Sequence, residues 1–363
     1  MLVIAAPGQG AQTAGFLAPW LEVPGVAEQV AAWSDLAGCD LIRYGTVAAA
    51  DEIRNTAVAQ PLLVASALAA AGVLGVGPAL TGEYLPGTPN GTGGGAAASH
   101  GHHGGVTVGH SVGELAAGAI GGILSADDAL RLVGIRGRAM AQAAAAEPTS
   151  MTAVLGGDEK TVLAAIEAHG LTPANINASG QVVAAGTVAQ LAAFAADPPA
   201  GARLRPLQVA GAFHTEHMAP AVDALRAASA GVEVHDPVLT VLSNRDGAAV
   251  RSGTDWLDRI VTQVSAPVRW DRCMHTMSRL GVTAFIELPP AGTLVGLARR
   301  ALPGVALLAV KTPADVDEAR ALFAEHANSH ANSHAPEWRR RSGEPGPAAG
   351  QAPAGRAGVS GPA

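Results

Sequence analysis

The stretch Val106-Thr107-Val108-Gly109-His110-Ser111-Val112-Gly113-Glu114-Leu115 sets the reading of the whole chain. Val106-Thr107-Val108 is a short β-branched run of the kind that forms a buried strand, and Glu114-Leu115-Ala116-Ala117 opens a run of good helix formers. Between them Gly109-x-Ser111-x-Gly113 lets the chain reverse within a few residues, which exposes a serine hydroxyl at the end of a strand. The same turn puts Ser111 at a helix N-terminus, where backbone N–H groups favour developing negative charge. On its own the pattern is equally that of an ordinary glycine-rich turn, because the chain carries 45 glycines.

Upstream, residues 2–6 form a second short apolar strand. It runs into a turn at Pro7-Gly8-Gln9-Gly10, with a helical stretch expected from about Ala11. Downstream, residues 150–210 have a compact pattern of their own. Strands over 151–155, 173–178, 181–185 and 203–209 and helices over 158–169 and 187–196 follow one another as β-α-β-β-α-β, a split ferredoxin-like unit. The larger domain then resumes with a helix over 218–230, a strand near 238–243, a helix over 255–264, a strand over 284–288 and a helix from about Thr293.

The fold class expected is therefore α/β. A large subdomain spans residues 1–140 and 210–325, with a ferredoxin-like small subdomain inserted over 141–209. Residues 82–105, glycine-rich with His100, His102 and His103, read as a flexible surface insertion. Residues 326–363, with the repeat His326-Ala-Asn-Ser-His330-Ala-Asn-Ser-His334 and the run Arg339-Arg340-Arg341, read as a disordered tail.

Composition narrows the class further. The chain has 363 residues, 48% hydrophobic and 15% charged, with net charge −7, which excludes a disordered chain and a charge-driven nucleic-acid binder. Any acidic partner must be met by a local basic patch. Cys39 and Cys273 make neither a disulfide framework nor a metal quartet, and residues 2–6 follow no basic leader, so a cytoplasmic protein is expected. Residues 55–82 hold no charge and are long enough to cross a bilayer, yet Pro61, Gly72, Gly75 and Gly77 and the many alanines suit a buried globular helix better.

A serine nucleophile needs a base. His214, in a turn after the small subdomain's last strand, is the best placed histidine, with His169 reading as a helix cap and His235 and His275 lacking such a setting. His214 and His217 lack a third metal ligand and the His-Glu-x-x-His spacing. The histidines of the insertion and of the tail have no ordered surroundings to support a metal, so none is expected. Arg136, read from spacing alone, is a helix-surface arginine like Arg131 and Arg138.

Several separated motifs, in order, resemble the malonyl-CoA:acyl carrier protein transacylases and the related acyltransferase domains of polyketide synthases. They are Pro7-Gly-Gln9-Gly-Ala-Gln12, Gly109-His110-Ser111-Val-Gly-Glu114, Arg136-Gly137, Asn175-Ile-Asn177, Gly211-Ala-Phe213-His214, and Gln263 ahead of Pro267-Val268. The resemblance covers residues 2–311, and it implies an α/β-hydrolase-like large subdomain. It implies that Ser111 is acylated by malonyl-CoA and that His214 is base and then acid, oriented by the backbone carbonyl of Gln263. It further implies that the backbone N–H groups of Gln9 and Val112 form the oxyanion hole, that Arg136 binds the malonyl carboxylate, and that Asn177 lines the entry for CoA or carrier protein. Phe213 resembles the version of malonyl-selective polyketide acyltransferases, where the ring crowds an α-methyl group.

The resemblance implies no cofactor, holo acyl carrier protein as acceptor, and a monomer with no membrane or nucleic-acid partner. Two features depart from the pattern: the 82–105 insertion, and Pro289-Pro290-Ala291-Gly292 where relatives carry Gly-Pro-Gly. The rivals are an acyl-CoA thioesterase or other hydrolase with the same elbow, a non-catalytic scaffold, and a discrete polyketide acyltransferase with another extender unit.

Overall fold

The computed structural model describes residues 1–77 and 105–333. The 82–105 insertion, apart from Gly105, and residues 334–363 lie outside the described residues. In chain order the strands are β1 (Leu2–Ala6), β2 (Gly105–Gly109), β3 (Thr149–Gly156), β4 (Thr172–Ala178), β5 (Gln181–Thr187), β6 (Ala202–Pro206), β7 (Thr240–Leu242), β8 (Ala284–Glu287) and β9 (Ala306–Ala309).

Five of them make a parallel sheet in the order β7-β2-β1-β8-β9. A parallel sheet is covered by helices on both faces, so its central strands carry apolar residues on both sides. Leu2, Ile4 and Ala6 accordingly enter one core, while Val3 and Ala5 enter the other with Val106 and Val108. The uncharged segment forms the helix Thr56–Leu74, buried along most of its length in the first of these cores. Among the described residues it is the one helix long and apolar enough to cross a membrane, and 78% of its most apolar window is buried inside the fold.

The other four strands form an antiparallel sheet in the order β4-β5-β3-β6, with the helices Glu159–Ala168 and Val188–Ala196 completing β-α-β-β-α-β. Each helix is capped by its own sequence: Asp158 accepts from the Thr161 N–H, and Thr187 with Gln190 forms a capping box. The antiparallel sheet is tied to the segment that leads into the helix Trp270–Arg279. Ile176 N–H donates to Val268 O, and Val268 N–H donates to Ala174 O, both at 2.9 Å.

Some expectations needed correction. The chain after Pro7-Gly8-Gln9-Gly10 does not enter a helix at Ala11. Gln12 Oε1 accepts the Gly10 N–H and Gln12 Nε2 donates to Ile53 O, which holds a turn there, and helices begin at Ala18–Leu21 and Val26–Ala37. The strand expected over 203–209 ends at Pro206, with one further bond to β3 from the Leu207 N–H to Met151 O at 3.0 Å. The last helix, Val316–Ser333, runs past His326, where the tail was expected to begin. The Ala-Asn-Ser-His repeat contains no proline or glycine to end it.

Candidate active site

The elbow is built by close packing. Ser111 has φ +53°, in the left-handed region that non-glycine residues seldom adopt. Tight contacts on either side hold it there. A Cβ on Gly109 would fall 1.9 Å from the Gly113 carbonyl carbon, and one on Gly113 would fall 2.3 Å from Ala6 O, so β1, β2 and the following helix Gly113–Ile120 can meet only with glycine at both places.

His214 also has a positive φ, +63°, and is 3% exposed. Its Nδ1 lies 2.9 Å from Gln263 O and its Nε2 lies 2.7 Å from Ser111 Oγ. A carbonyl oxygen can only accept, so Nδ1 carries the proton and Nε2 presents a lone pair to the serine hydroxyl. Burial, together with the positive charge of Arg136, pushes His214 down to about 3, so the free imidazole is neutral. Ser111 and His214 therefore form a hydrogen-bonded pair whose imidazole is oriented by a backbone carbonyl.

Arg136 is not a surface residue. The helix Ala126–Ala146 buries Ala129, Val133, Arg136, Met140 and Ala144, spaced three or four residues apart, whereas Arg131 and Arg138 lie off that stripe. Arg136 is 1% exposed. Its Nη1 donates to Gln60 Oε1 at 2.6 Å, and its Nη2 donates to Gln263 Oε1 at 2.8 Å and approaches Ser111 Oγ at 3.4 Å. Among the described residues no carboxylate lies within the 4.0 Å of an ion pair with it. Burial lowers its pKa to about 10, so it remains charged at neutral pH.

A cavity of about 270 Å³ opens onto the dyad and is lined in part by Gln9, Gln60, Ser111, Asn177, Phe213 and His214. Arg136, Val112 and Gln263 stand behind that lining. Gln9 is anchored by its side chain, whose Nε2 donates to Thr56 Oγ1 at 3.3 Å, and neither its N–H nor that of Val112 has a protein acceptor among the described residues. Asn177 Oδ1 accepts from His110 Nε2 at 2.8 Å. Phe213 is 6% exposed and Met140 lines the same cavity.

The structure thus brings together Ser111, His214, Gln9, Val112, Arg136, Gln263, Asn177 and Phe213. It separates His214 from His217, whose Nδ1 pairs with Glu147 at 3.1 Å. Among the described residues no group of three or more His, Cys, Asp or Glu side chains is placed to hold a metal ion. His100, His102, His103 and His334 lie outside the described residues.

Sequence reasoning missed Gln60, Asn244 and the part played by Glu114. Gln60 had a signal, as a polar side chain in an otherwise apolar helix, and it is 2% exposed. Asn244 had none, since it reads as a turn residue after β7. Its Oδ1 accepts the Ser111 N–H at 2.7 Å and its Nδ2 donates to Gly109 O at 2.8 Å.

Residues 96–334 match the acyl transferase domain family. The chain is 51% identical over 318 residues to the malonyl CoA-acyl carrier protein transacylase of Mycobacterium tuberculosis (strain ATCC 25618 / H37Rv), covering 88% of this chain and 99% of that protein. The crystal structure of the Mycobacterium tuberculosis MCAT superimposes with a TM-score of 0.79 at 51% identity, covering 88% of this chain and 99% of that one. A malonyl-transacylase in complex with its type II PKS acyl-carrier protein superimposes with a TM-score of 0.75 at 28% identity, over 88% and 99% of the two chains.

Proposed function

Since the chain belongs to the acyl transferase domain family and to its malonyl-CoA:acyl carrier protein transacylases, we propose that it moves malonyl from CoA to a carrier-protein thiol through an ester on Ser111. The observation that carries the choice of substrate is the state of Arg136. A guanidinium 1% exposed, 3.4 Å from the nucleophile and hydrogen-bonded to neutral amides, with Glu114 acting on it only across Gln263, is a buried charge with no carboxylate in direct contact among the described residues. The free carboxylate of malonyl supplies that anion, and a planar guanidinium can meet it with two parallel hydrogen bonds. An acetyl group has nothing to offer in its place.

In the first half-reaction His214 Nε2 takes the Ser111 proton while Oγ attacks the thioester carbonyl. The negative oxygen of the tetrahedral intermediate is met by the free N–H groups of Gln9 and Val112, at the N-terminal end of the helix Gly113–Ile120. The C–S bond then breaks and His214 returns its proton to the CoA sulfur. In the second half-reaction the phosphopantetheine thiol of holo acyl carrier protein gives its proton to His214 and its sulfur attacks the ester. The C–O bond breaks, and the proton returns to Ser111. Gln263 O stabilises the imidazolium in both halves.

Each group named comes from this chain, so the reading calls for no cofactor. Fatty-acid and polyketide carrier proteins present the same thiol, and either is an acceptor on this chemistry. The enzyme is read as a cytoplasmic monomer, in keeping with the free thiols of Cys39 and Cys273. Asn177, beside His110 at the cavity wall, is read as part of the entry for both thiols.

The test is intact mass after brief mixing with malonyl-CoA, with and without holo acyl carrier protein. A malonyl adduct is expected on the enzyme, passing to the carrier when it is present and missing from Ser111→Ala. A malonyl adduct on Ser111→Ala overturns the nucleophile. Free malonate released at one rate regardless of carrier makes the enzyme a hydrolase, and no adduct with no acylated carrier makes it a scaffold.

A further inference from the structure

Outside the cavity's lining, close to the nucleophile, lies a carboxylate that the transfer steps leave unused. Glu114 sits in the first turn of the helix Gly113–Ile120 and is 2% exposed. Its Oε1 accepts the Asn244 backbone N–H at 2.8 Å, its Oε2 accepts Gln263 Nε2, and the Ser243 hydroxyl lies against it. The Asn244 N–H and Gln263 Nε2 can only donate, and the serine hydroxyl can donate as well. Three donors fit a carboxylate, whereas the acid form could place its O–H only on Ser243 Oγ.

Two arms lead from Glu114 to the reacting groups. One runs through Gln263. With Nε2 committed to Glu114 and to Ser111 O at 3.0 Å, the amide must turn Oε1 toward Arg136 Nη2, and the same residue's carbonyl receives His214 Nδ1–H. The other runs through Asn244, whose backbone Glu114 holds and whose side chain bridges Gly109 O and Ser111 N–H across the strained turn. These bonds span 49 to 152 positions of sequence, so tertiary packing alone brings them together.

We infer that Glu114, acting through Gln263 and Asn244, is the positioning residue that holds Ser111, His214 and Arg136 in register, and that its ionised form is the working form. The inference rests on Ser111 being the acylated residue. Glu114 touches no substrate. It acts by restricting where the nucleophile's backbone, the base and the carboxylate-binding guanidinium can sit, and small misplacements of such groups are costly in rate.

The charged and titratable groups around Glu114 are Arg136 from the helix Ala126–Ala146, Cys273 from the helix Trp270–Arg279, and His214 beyond Gln263. Burial keeps the Cys273 thiol protonated. The Thr56–Leu74 helix, packed on the other side, contributes no charge. Desolvation raises Glu114 to about 7 while His214 is pushed down to about 3. A group that works ionised loses its effect as the pH falls through its pKa, so Glu114 sets the acid limb and His214 remains neutral across it.

The experiment is single-turnover acylation by malonyl-CoA from pH 5 to 9, read as intact mass, for the full-length wild type, Glu114→Gln and Glu114→Asp. The wild type is expected to show an acid limb at about 7. Glu114→Gln is expected to acylate about 10²-fold more slowly at saturating malonyl-CoA, with the limb gone. Glu114→Asp, which keeps the charge, should recover part of the rate and show the limb at a shifted pH. A Glu114→Gln protein that acylates at the wild-type rate, or keeps the limb, overturns the inference. If Glu114→Gln does not fold, the other two decide: a wild-type limb at about 7 that moves in Glu114→Asp supports the inference, and a rate that shows no limb between pH 5 and 9, or a limb that stays put, overturns it. Absence of any wild-type adduct refutes the acylation of Ser111 itself, an outcome distinct from an adduct that forms regardless of Glu114.

Discussion

Replacing Arg136 by methionine tests the selection of the acyl group. Methionine fills most of the volume and removes the charge. Malonyl then brings its carboxylate into a site where the amides of Gln60 and Gln263 face it with no cation behind them. Leaving one partner of a buried ion pair uncompensated costs about 3–5 kcal/mol. At about 1.4 kcal/mol per tenfold, that is a loss of roughly 10²- to 10³-fold or more in kcat/KM for malonyl-CoA.

Acetyl-CoA brings no carboxylate and escapes this penalty. Both substrates bear the cost of the hydrogen bonds lost to Gln60 and Gln263, so that cost cancels in their ratio. Removing the guanidinium also relieves the field that pushes His214 down, which favours proton transfer with either acyl group. The assay is single-turnover acylation of Ser111 by each thioester, with wild type and Arg136→Met compared side by side. The malonyl-to-acetyl ratio should fall by about 10²-fold or more. Equal losses for the two thioesters would refute the carboxylate role and leave Arg136 as a structural charge.

Two further outcomes are expected. Phe213→Ser should raise methylmalonyl use relative to malonyl by about tenfold or more, as opening space for one methyl group allows; an unchanged ratio in competition with both thioesters would remove Phe213 from selectivity. Deleting residues 326–363 should leave activity and the melting transition close to wild type, because Val316 and Ala319, which seat the last helix in the core, remain. A collapsed transition in calorimetry would show that the last part of the Val316–Ser333 helix holds the core together.

Much of the site was legible at short range. The β-branched run, the two glycines and the helix formers around Ser111 are contiguous, and the elbow follows from them. His214 could be found because it stands in the turn between the small subdomain's last strand and the next helix. The β-α-β-β-α-β order was legible because alternation and capping signals recur at regular spacing over 149–206. The edge strand β9 was not, since its residues are only half-buried and give no strong alternation.

Arg136 shows where such reading stops. Its neighbours in sequence describe a helix, and among three arginines on that helix nothing local distinguishes the buried one except the apolar stripe it falls on. Its state depends on Gln60 and Gln263, which lie 76 and 127 positions away. Asn244 and Glu114 are further cases, since a turn residue and a first-turn acid become an elbow clamp and its anchor only once β7 lies beside β2.

The sequence by itself determined most of the elements and the turn around Ser111, and it pointed to His214 as the base, because hydrophobic period, glycine geometry and capping act within a few residues. The tertiary structure alone decided the order of the sheet, the burial of Arg136 and the network that carries Glu114 to Ser111 and His214. Those depend on which surfaces exclude water together, and a charge or amide acquires its function from partners that only packing places within about 3 Å.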